Sequence, residues 1–98
     1  MARKLVWNKR PTTFLSAALK HISLESFINA EKVEASILSH LDQCIDNPQR
    51  FPKDKFKNNN SGEFRAFETH GFRVAYKFTN AEVRILRIRS VKQEPKEY

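Results

Sequence analysis

Apolar and polar side chains alternate along residues 64–89, the segment around which we expect the chain to be built. A period of two is typical of β-strands, and the segment predicts three of them in succession. In the middle strand the apolar side chains share one face: Phe72, Val74, Tyr76 and Phe78. The opposite face carries Arg73, Ala75 and Lys77. One face of the predicted sheet can therefore pack against a core, and the other is left mostly polar.

A short strand and two helices are predicted before this segment. Residues 3–8 (RKLVWN) have apolar side chains on both faces, so we expect this strand inside the sheet rather than at its edge. Apolar residues then recur at helical spacing, first over residues 14–22 and again over residues 24–45. Two amphipathic helices with almost no linker predict a helical hairpin packed on the sheet, and the fold class is α+β.

Single residues predict where the helices begin and end. A hydroxyl at Thr12 or Thr13 can accept from the free N–H groups that open the shorter helix, and Ser23 can do so for the longer one. Pro48 is expected to end the second helix, because proline disfavours the helical conformation of the residue before it.

The connection over residues 46–62 is longer than most ordered loops. Phe51 and Phe56 are expected to anchor it to the body of the protein, whereas residues 58–61 (NNNS) contain nothing that predicts an anchor. Its alternating lysines are either simply solvated or reach the polar face of the sheet: Lys53, Lys55 and Lys57.

The register of the two predicted hairpins decides where the arginines lie. The first tight turn pairs Phe67 with Arg73. A three-residue loop in the second hairpin then pairs Arg73 with Arg87 and brings Arg89 nearby. The residues that this register sends to the core are Leu86 and Ile88. A two-residue loop would instead bury Arg87, which costs several kcal/mol, so we expect the longer loop.

Composition adds a strong positive charge to this picture. The chain has 98 residues, enough for one domain (residues 1–98), and 18 lysines and arginines against 11 aspartates and glutamates give a net charge of +7. This charge favours phosphate-rich or acidic partners. The single cysteine, Cys44, excludes an intramolecular disulfide and a thiolate-rich zinc site, and we expect no metal and no cofactor. Without a membrane span or signal peptide in the sequence, we expect a soluble cytoplasmic protein.

The polar face of the sheet is a candidate surface for binding nucleic acid or another target, because cations are expected there without matching carboxylates. These cations are Arg65, Arg73, Lys77, Arg87 and Arg89. A merely solvated face is the alternative. Apolar side chains expected among the cations are Phe67, Ala75, Val83 and Ile85. They would suit an acidic protein segment that folds on the sheet or adds a strand to it.

The order of elements and the segments GFRVAYKF, VRILRIRS and EPKEY resemble the RelE/ParE superfamily of bacterial toxins. The resemblance covers nearly the whole chain, and its most specific part is the pattern aromatic, Arg, aliphatic, small, Tyr over residues 72–76. Members of the superfamily are the toxin halves of type II toxin-antitoxin pairs, often called plasmid stabilisation proteins. The resemblance implies growth inhibition that a cognate acidic antitoxin neutralises, through the apolar and basic sheet face described above.

The resemblance leaves two mechanisms open. RelE-like members cut mRNA on the ribosome without a metal, whereas ParE-like members poison DNA gyrase and are not nucleases. The catalytic pattern of the nucleases falls on Arg73, Lys92 and Tyr98. The paired strand lysines of RelE are absent, because Phe64 and Ala66 occupy their positions. This departure and the long second helix favour a ParE-like gyrase inhibitor, and the sequence leaves open whether the chain is an enzyme.

The nuclease alternative also requires particular chemical groups at the site. RNA cleavage by 2′-OH attack needs a base near the hydroxyl and cations around the phosphate. Tyr98 could be that base only if neighbouring charge lowered its pKa, since an ordinary phenol titrates near ~10. A third alternative is a basic nucleic-acid-binding module without toxicity. The sequence does not indicate the oligomeric state.

Overall fold

The computed structural model describes residues 3–93 and 96–98. Its elements are β1 (Lys4–Trp7), α1 (Lys9–Glu25), α2 (Phe27–Asp46), β2 (Phe64–Thr69), β3 (Phe72–Phe78) and β4 (Glu82–Ser90). The two helices pack against each other and against the four-stranded sheet, so the predicted α+β arrangement is confirmed. Glu94 and Pro95, part of the tail that contributes to the family resemblance, lie outside the described residues. In the described part of the chain, neither helix is long and apolar enough to cross a membrane.

Strand β1 lies at an edge of the sheet, whose order is β1-β4-β3-β2. It runs parallel to β4, with Leu5 beside Val83 and Trp7 beside Ile85. The prediction of an internal position was therefore wrong. Leu5 and Trp7 pack against the core, while Val6 on the other side is half-buried. Because both faces of β1 are partly covered, its side chains are apolar on both sides even though the strand lies at the edge of the sheet.

The hairpin of β2 and β3 closes with the two-residue turn His70-Gly71, in which both residues have positive φ (48° and 81°). Turns of this geometry match the right-handed twist of the strands they join. Phe67 pairs with Val74, and Glu68 takes the position opposite Arg73. The predicted pairing of Phe67 with Arg73 was wrong by one residue, and such a shift moves every side chain of β2 to the other face of the sheet.

The hairpin of β3 and β4 also has a two-residue turn, closed by a hydrogen bond of 2.9 Å from the Thr79 amide to the Glu82 carbonyl. The expected three-residue loop was therefore wrong. A β-bulge interrupts the register between Ala75 and Tyr76, and Leu86 is the extra residue on β4. Because of this bulge, the shorter turn does not bury Arg87.

Beyond the bulge the arginines of β4 return to the face away from the helices. Arg87 lies opposite Ala75, and Arg89 lies opposite Arg73. The predicted pair of Arg73 with Arg87 was wrong by two residues, and the core position expected for Leu86 is taken by Ile85. The three arginines nevertheless occupy neighbouring positions on one face of two adjacent strands.

The helices begin at residues other than those predicted. Helix α1 starts at Lys9, and the hydroxyl of Thr12 donates to the Asn8 carbonyl (2.9 Å) instead of capping the helix. Helix α2 is capped by Ser26, which accepts from the Asn29 amide at 3.1 Å. The predicted cap Ser23 lies inside α1. The end of α2 at Asp46, just before Asn47-Pro48, agrees with the prediction.

The core lies between the helices and the sheet. Its fully buried members are Ile37, Leu41 and Cys44 from α2 and Val74, Tyr76, Val83 and Ile85 from the strands. Of the four residues expected as exposed apolar groups for an antitoxin, Phe67, Ala75, Val83 and Ile85, none is more than 4% exposed. The expectation that they are accessible was therefore wrong, because the β2 register turns Phe67 towards the helices and the two-residue turn before β4 does the same for Val83 and Ile85. Ala75 and its neighbour Ala66 are buried on the other face, so that face is covered as well.

Candidate functional site

The loop between α2 and β2 covers the face of the sheet away from the helices. Its residues 52–54 run along the edge of β2, where the Ala66 amide donates to the Pro52 carbonyl (3.2 Å) and the Asp54 amide donates to the Phe64 carbonyl (2.9 Å). The loop therefore extends the sheet by a short irregular strand.

Asn60 holds the far end of this loop. Its side-chain NH₂ donates to the carbonyls of Asp54 (3.3 Å) and Phe64 (2.8 Å), and its side-chain oxygen accepts from the amides of Gly62 (2.9 Å) and Phe64 (3.2 Å). The expectation that residues 58–61 lack an anchor was wrong, because one asparagine side chain satisfies four backbone groups.

Arg65 also holds the loop rather than facing a target. It pairs with Tyr76 and so lies on the helix side of the sheet. Its guanidinium donates to the carbonyls of Gly62 (2.7 Å) and Phe51 (3.1 Å). The prediction that Arg65 lies on the binding face was wrong, because the register of β2 is shifted by one residue.

Asp54 is the charged residue at the centre of the covered face. Its side chain is almost completely buried and accepts from the Tyr98 hydroxyl (2.6 Å), Arg73 Nη2 (2.9 Å) and the Phe56 amide (3.1 Å). Burial raises the pKa of Asp54, but the hydrogen bonds from Tyr98, Arg73 and the Phe56 amide outweigh burial and hold the pKa below its ordinary value. The carboxylate is therefore ionised at neutral pH.

Arg73 is held by two carboxylates. Its Nη2 contacts Asp54 and its Nη1 contacts Glu68, each at 2.9 Å, and its guanidinium lies 4.8 Å from the centre of the Phe56 ring. The Nε atom is buried and has no hydrogen-bond partner among the described residues. The expectation of cations without matching carboxylates was wrong at this position, because Asp54 reaches the face from the loop and Glu68 from the shifted strand.

Arg87 and Tyr98 form the second half of the arrangement. The Arg87 guanidinium lies 4.0 Å from the centre of the Tyr98 ring and donates to the Lys96 carbonyl at 2.6 Å. The Tyr98 amide donates to the Phe56 carbonyl (2.9 Å), and the Tyr98 carbonyl accepts from the Asn58 amide (2.7 Å). Residue 98 is thus fixed on the loop by its backbone and by its side chain.

A cavity of about 190 Å³ lies beside these groups, and we call it the basic cleft. Its charged and aromatic lining consists of Lys55, Phe56, Glu68, Arg73, Arg87 and Arg89. A shallower depression of about 410 Å³ adjoins the basic cleft at Arg87 and Arg89 and extends to Arg10 and Phe14 of α1. Four cations line the basic cleft against the carboxylates of Glu68 and Asp54, so the cleft keeps a net positive charge that suits an anionic group.

The electrostatics of Tyr98 oppose a role as a general base. Burial raises the pKa of Tyr98, and the hydrogen bond to the ionised Asp54 raises it further. The positive charges of Arg87 and Arg73 lower the pKa but are outweighed. The phenol therefore stays protonated at neutral pH, with its proton directed at Asp54.

The predicted site residues are only partly brought together. Arg73, Arg87, Arg89 and Tyr98 meet at or beside the basic cleft. Lys77 is exposed further along β3, where its ammonium lies 5.4 Å from the Phe64 ring. Lys92 is exposed in the turn after β4 and does not itself line the cleft, although its neighbours Val91 and Gln93 do. Of the predicted catalytic residues, Arg73 and Tyr98 both contact Asp54.

Three residues of this site were not predicted from the sequence as members of it: Asp54, Phe56 and Glu68. Asp54 lies between Lys53 and Lys55 in a stretch that has the composition of a solvated loop. The side chain of Lys55 does line the cleft, and Lys57 lies over the Phe64 and Tyr98 rings at 4.7 Å and 5.3 Å. Lys55 and Lys57 therefore reach the polar face of the sheet. The sequence had left this open beside the alternative that the lysines are simply solvated.

Comparison with solved structures finds the same arrangement of elements elsewhere. A chain of the chromosomal ParDE TA system from P. aeruginosa superimposes with a TM-score of 0.66, covering 90% of this chain and 95% of that chain at 19% sequence identity. The protein shares the fold of that chain. The predicted resemblance is thereby confirmed at the level of the fold, although so low an identity carries no residue roles with it.

Sequence comparisons add nothing to this likeness of fold. No protein-family model matches the chain, and no curated protein matches it.

Proposed function

We propose that this chain is the toxin component of a type II toxin-antitoxin module and that it inhibits its target by binding, as ParE-like gyrase inhibitors do, rather than by cutting RNA. The likeness to the ParDE TA system supports the first half of the proposal. The geometry of the basic cleft supports the second half. The expected partner is a cognate acidic antitoxin, attracted by the net charge of +7.

The observation that carries the choice of mechanism is the hydrogen bond of 2.6 Å from Tyr98 to Asp54. A ribonuclease of this kind needs a group that takes the proton of the 2′-OH. Tyr98 donates its own proton to a buried carboxylate and has a raised pKa, and Asp54 has a lowered pKa and three donors. Neither is suited to accept a proton at neutral pH.

The cations of the basic cleft are suited to binding instead. Arg73 and Arg87 are held rigid by stacking on Phe56 and Tyr98, so little side-chain entropy is lost when an acidic group binds. Burial lowers the pKa of Arg87, yet arginine remains protonated at pH 7. Lys55 and Arg89 complete a positive rim around the cleft.

Growth inhibition tests the toxin assignment. Inducing the chain alone in bacteria is expected to stop growth, and co-expression of the neighbouring small open reading frame is expected to restore it. The double variant Lys55→Gln/Arg89→Gln should inhibit much less, while Lys4→Gln on the edge strand should inhibit as the unchanged chain does. Normal growth on induction of soluble, folded protein would refute the assignment.

Two assays with purified protein separate the mechanisms. Gyrase supercoiling should be inhibited, and mRNA on ribosomes should remain intact. Cleaved mRNA together with unaffected gyrase would overturn the binding mechanism.

The RelE-like alternative keeps one supporting observation. Lys55 and Lys57 bring ammonium groups to the face on which the paired strand lysines of RelE are replaced by Phe64 and Ala66. If mRNA is cut, Tyr98→Phe should reduce the rate only slightly, since the buried phenol is not the base, whereas Lys55→Gln should reduce it strongly.

A further inference from the structure

The basic cleft continues beyond β4 onto the first helix. The adjoining depression of about 410 Å³ shares Arg87, Arg89 and Gln93 with the basic cleft, and its far side is formed by Arg10 and Phe14 of α1. We call the two depressions together the cationic groove. The cations along it are Lys55, Arg87, Arg89 and Arg10, in addition to the paired Arg73. The groove therefore runs from the loop after α2, across the end of β4, to the first turn of α1.

The α1 end of the cationic groove carries positive charge without a carboxylate. Arg10 is exposed and forms no ion pair with the described residues. The first acidic residue of the chain is Glu25, so the first turn of α1 and the residues before it contain no negative side chain. At the other end of the groove, Asp54 and Glu68 are both held by Arg73. An anion that balances Arg10 therefore comes from another molecule.

The N-terminus of α1 adds to this positive charge. Asn8 occupies the N-cap position, but its side chain caps no backbone N–H and its oxygen accepts from Arg84 Nη1 at 2.9 Å instead. Free N–H groups and the helix dipole together favour an anion at a helix N-terminus. Since Arg10 and Pro11 line the groove, this end of the helix lies beside it. The helix and the side chains thus favour the same sign of charge in a ligand.

The lining of the groove distinguishes between kinds of anionic ligand. A peptide gains most of its affinity from a few anchor side chains that fill well-packed pockets, whereas nucleic-acid phosphates are bound by cations and polar donors. The aromatic rings of the groove already contact other side chains: Phe14 meets Phe72 edge to face at 6.2 Å, and Arg73 lies 4.8 Å from the Phe56 ring. Charge and the polar Gln93 remain. The α1 end of the groove therefore suits a phosphate backbone rather than a peptide.

We propose that the cationic groove binds the phosphate backbone of duplex DNA. The inference rests on the proposed function for the source of that DNA, because gyrase holds a DNA duplex while it acts. Two depressions in series match a ligand with repeated negative charges rather than one small ion. Single-strand sites use open aromatic faces on which bases stack, and here Phe14 and Phe56 are already in contact with other side chains. An acidic antitoxin that occupies the basic cleft excludes the DNA from it.

Fluorescence anisotropy of a labelled DNA duplex at several salt concentrations tests this proposal. The logarithm of the binding constant falls by about 0.9 per phosphate contact for each tenfold rise in salt. With Lys55, Arg87, Arg89 and Arg10 in contact, a slope of roughly −3 to −4 is expected. Arg10→Gln should bring the slope about one unit closer to zero, and it is expected to fold because Arg10 is exposed. Lys20→Gln removes the same charge from an exposed position of α1 outside the groove and should leave the slope unchanged.

Two further probes identify the kind of polyanion that the groove prefers. They are a single strand of the same DNA sequence and polyglutamate, which carries carboxylates in place of phosphates. The duplex should bind most tightly of the three. Tighter binding of the single strand or of polyglutamate would overturn the proposal. So would equal slopes for Arg10→Gln and Lys20→Gln, or no binding of the duplex at low salt.

An assay with gyrase separates the failure of this inference from the failure of the proposed function. Arg10→Gln should weaken DNA binding and the inhibition of supercoiling by a similar factor, and Lys20→Gln should change neither. Inhibition of gyrase by a chain that does not bind DNA would refute the inference and leave the proposed function standing. DNA binding that depends on Arg10, without inhibition of gyrase, would uphold the groove and refute the proposed mechanism.

Discussion

At the scale of single residues, Asp54 connects the parts of the site that are far apart in the sequence. One buried carboxylate accepts from the loop at Phe56, from β3 at Arg73 and from the tail at Tyr98. A buried carboxylate with three donors is stable only while all of them are present, because removing one donor leaves its negative charge less compensated.

Asp54→Asn is therefore expected to destabilise the fold by about 3 kcal/mol at pH 7. The folded-state pKa of Asp54 is lowered, so its stabilisation is present above the unfolded pKa of about 3.9 and is lost as pH falls through the folded pKa. Urea unfolding of both proteins at pH 7 and near pH 3 checks this, since the difference should shrink in acid. The exposed Asp42 on α2 offers the control Asp42→Asn, which should change little. If both substitutions lowered the free energy of unfolding equally, the contacts of Asp54 would not stabilise the fold.

The two tyrosines of the chain give a second prediction at this scale. Burial is the main cause that raises the pKa of Tyr98 and of Tyr76, whose hydroxyl donates to the Pro48 carbonyl. Absorbance at alkaline pH should therefore show almost no tyrosinate near the ordinary value of about 10. Ionisation should appear together with unfolding, as followed by circular dichroism. A smooth titration of one tyrosine near its ordinary pKa would place Tyr98 in solvent.

At the scale of elements, the beginning of α2 is fixed by one hydroxyl. Ser26 accepts from the Asn29 amide, while Ser23 donates to the Lys20 carbonyl within α1. Ser26→Ala should lower the free energy of unfolding by about 1 kcal/mol, the usual value of an N-cap. Ser23→Ala, one turn earlier, is the matched control and should have a much smaller effect in thermal unfolding. A larger loss from Ser23→Ala would place the helix boundary where the sequence pattern predicted it.

Strand β4 follows a two-residue turn and still keeps its arginines out of the core. With a regular ladder and a two-residue turn, Arg87 would face the core. The extra residue Leu86 restores the alternation, so that Ile88 is buried and Arg87 and Arg89 lie at the basic cleft. A bulge next to a functional site commonly redirects a side chain in this way.

At the scale of the whole molecule, the charge of +7 is distributed unevenly. Cations gather at the basic cleft, whereas the hairpin carries both signs. Association with an acidic partner is expected to weaken steeply as salt rises, because screening reduces steering by exposed charges. Titration calorimetry with the antitoxin at several salt concentrations checks this. Lys55→Gln should flatten the dependence and Lys4→Gln should not, and a salt-independent affinity would mean that the cleft is not used.

Sequence pattern predicted much of the fold and less of the site. The strands, the helical hairpin and the stop before Pro48 follow from local period and local sterics, which the chain displays directly. Positions on β3 were predicted correctly, because its apolar face is unambiguous: Val74 and Tyr76 are buried. The residues that pair with them on β2 and β4 were not predicted correctly, since a turn one residue shorter changes every pairing along the two strands that it joins.

The sequence by itself determined the order of elements, the positive charge and the presence of arginines on two adjacent strands. Only the tertiary structure decided which of those arginines face the cleft, that Asp54 and Tyr98 meet there, and that Phe67, Val83 and Ile85 belong to the core. The reason is physical: hydrophobic period is a local property, whereas register, bulges and contacts between residues 44 positions apart are set by the packing of the whole chain.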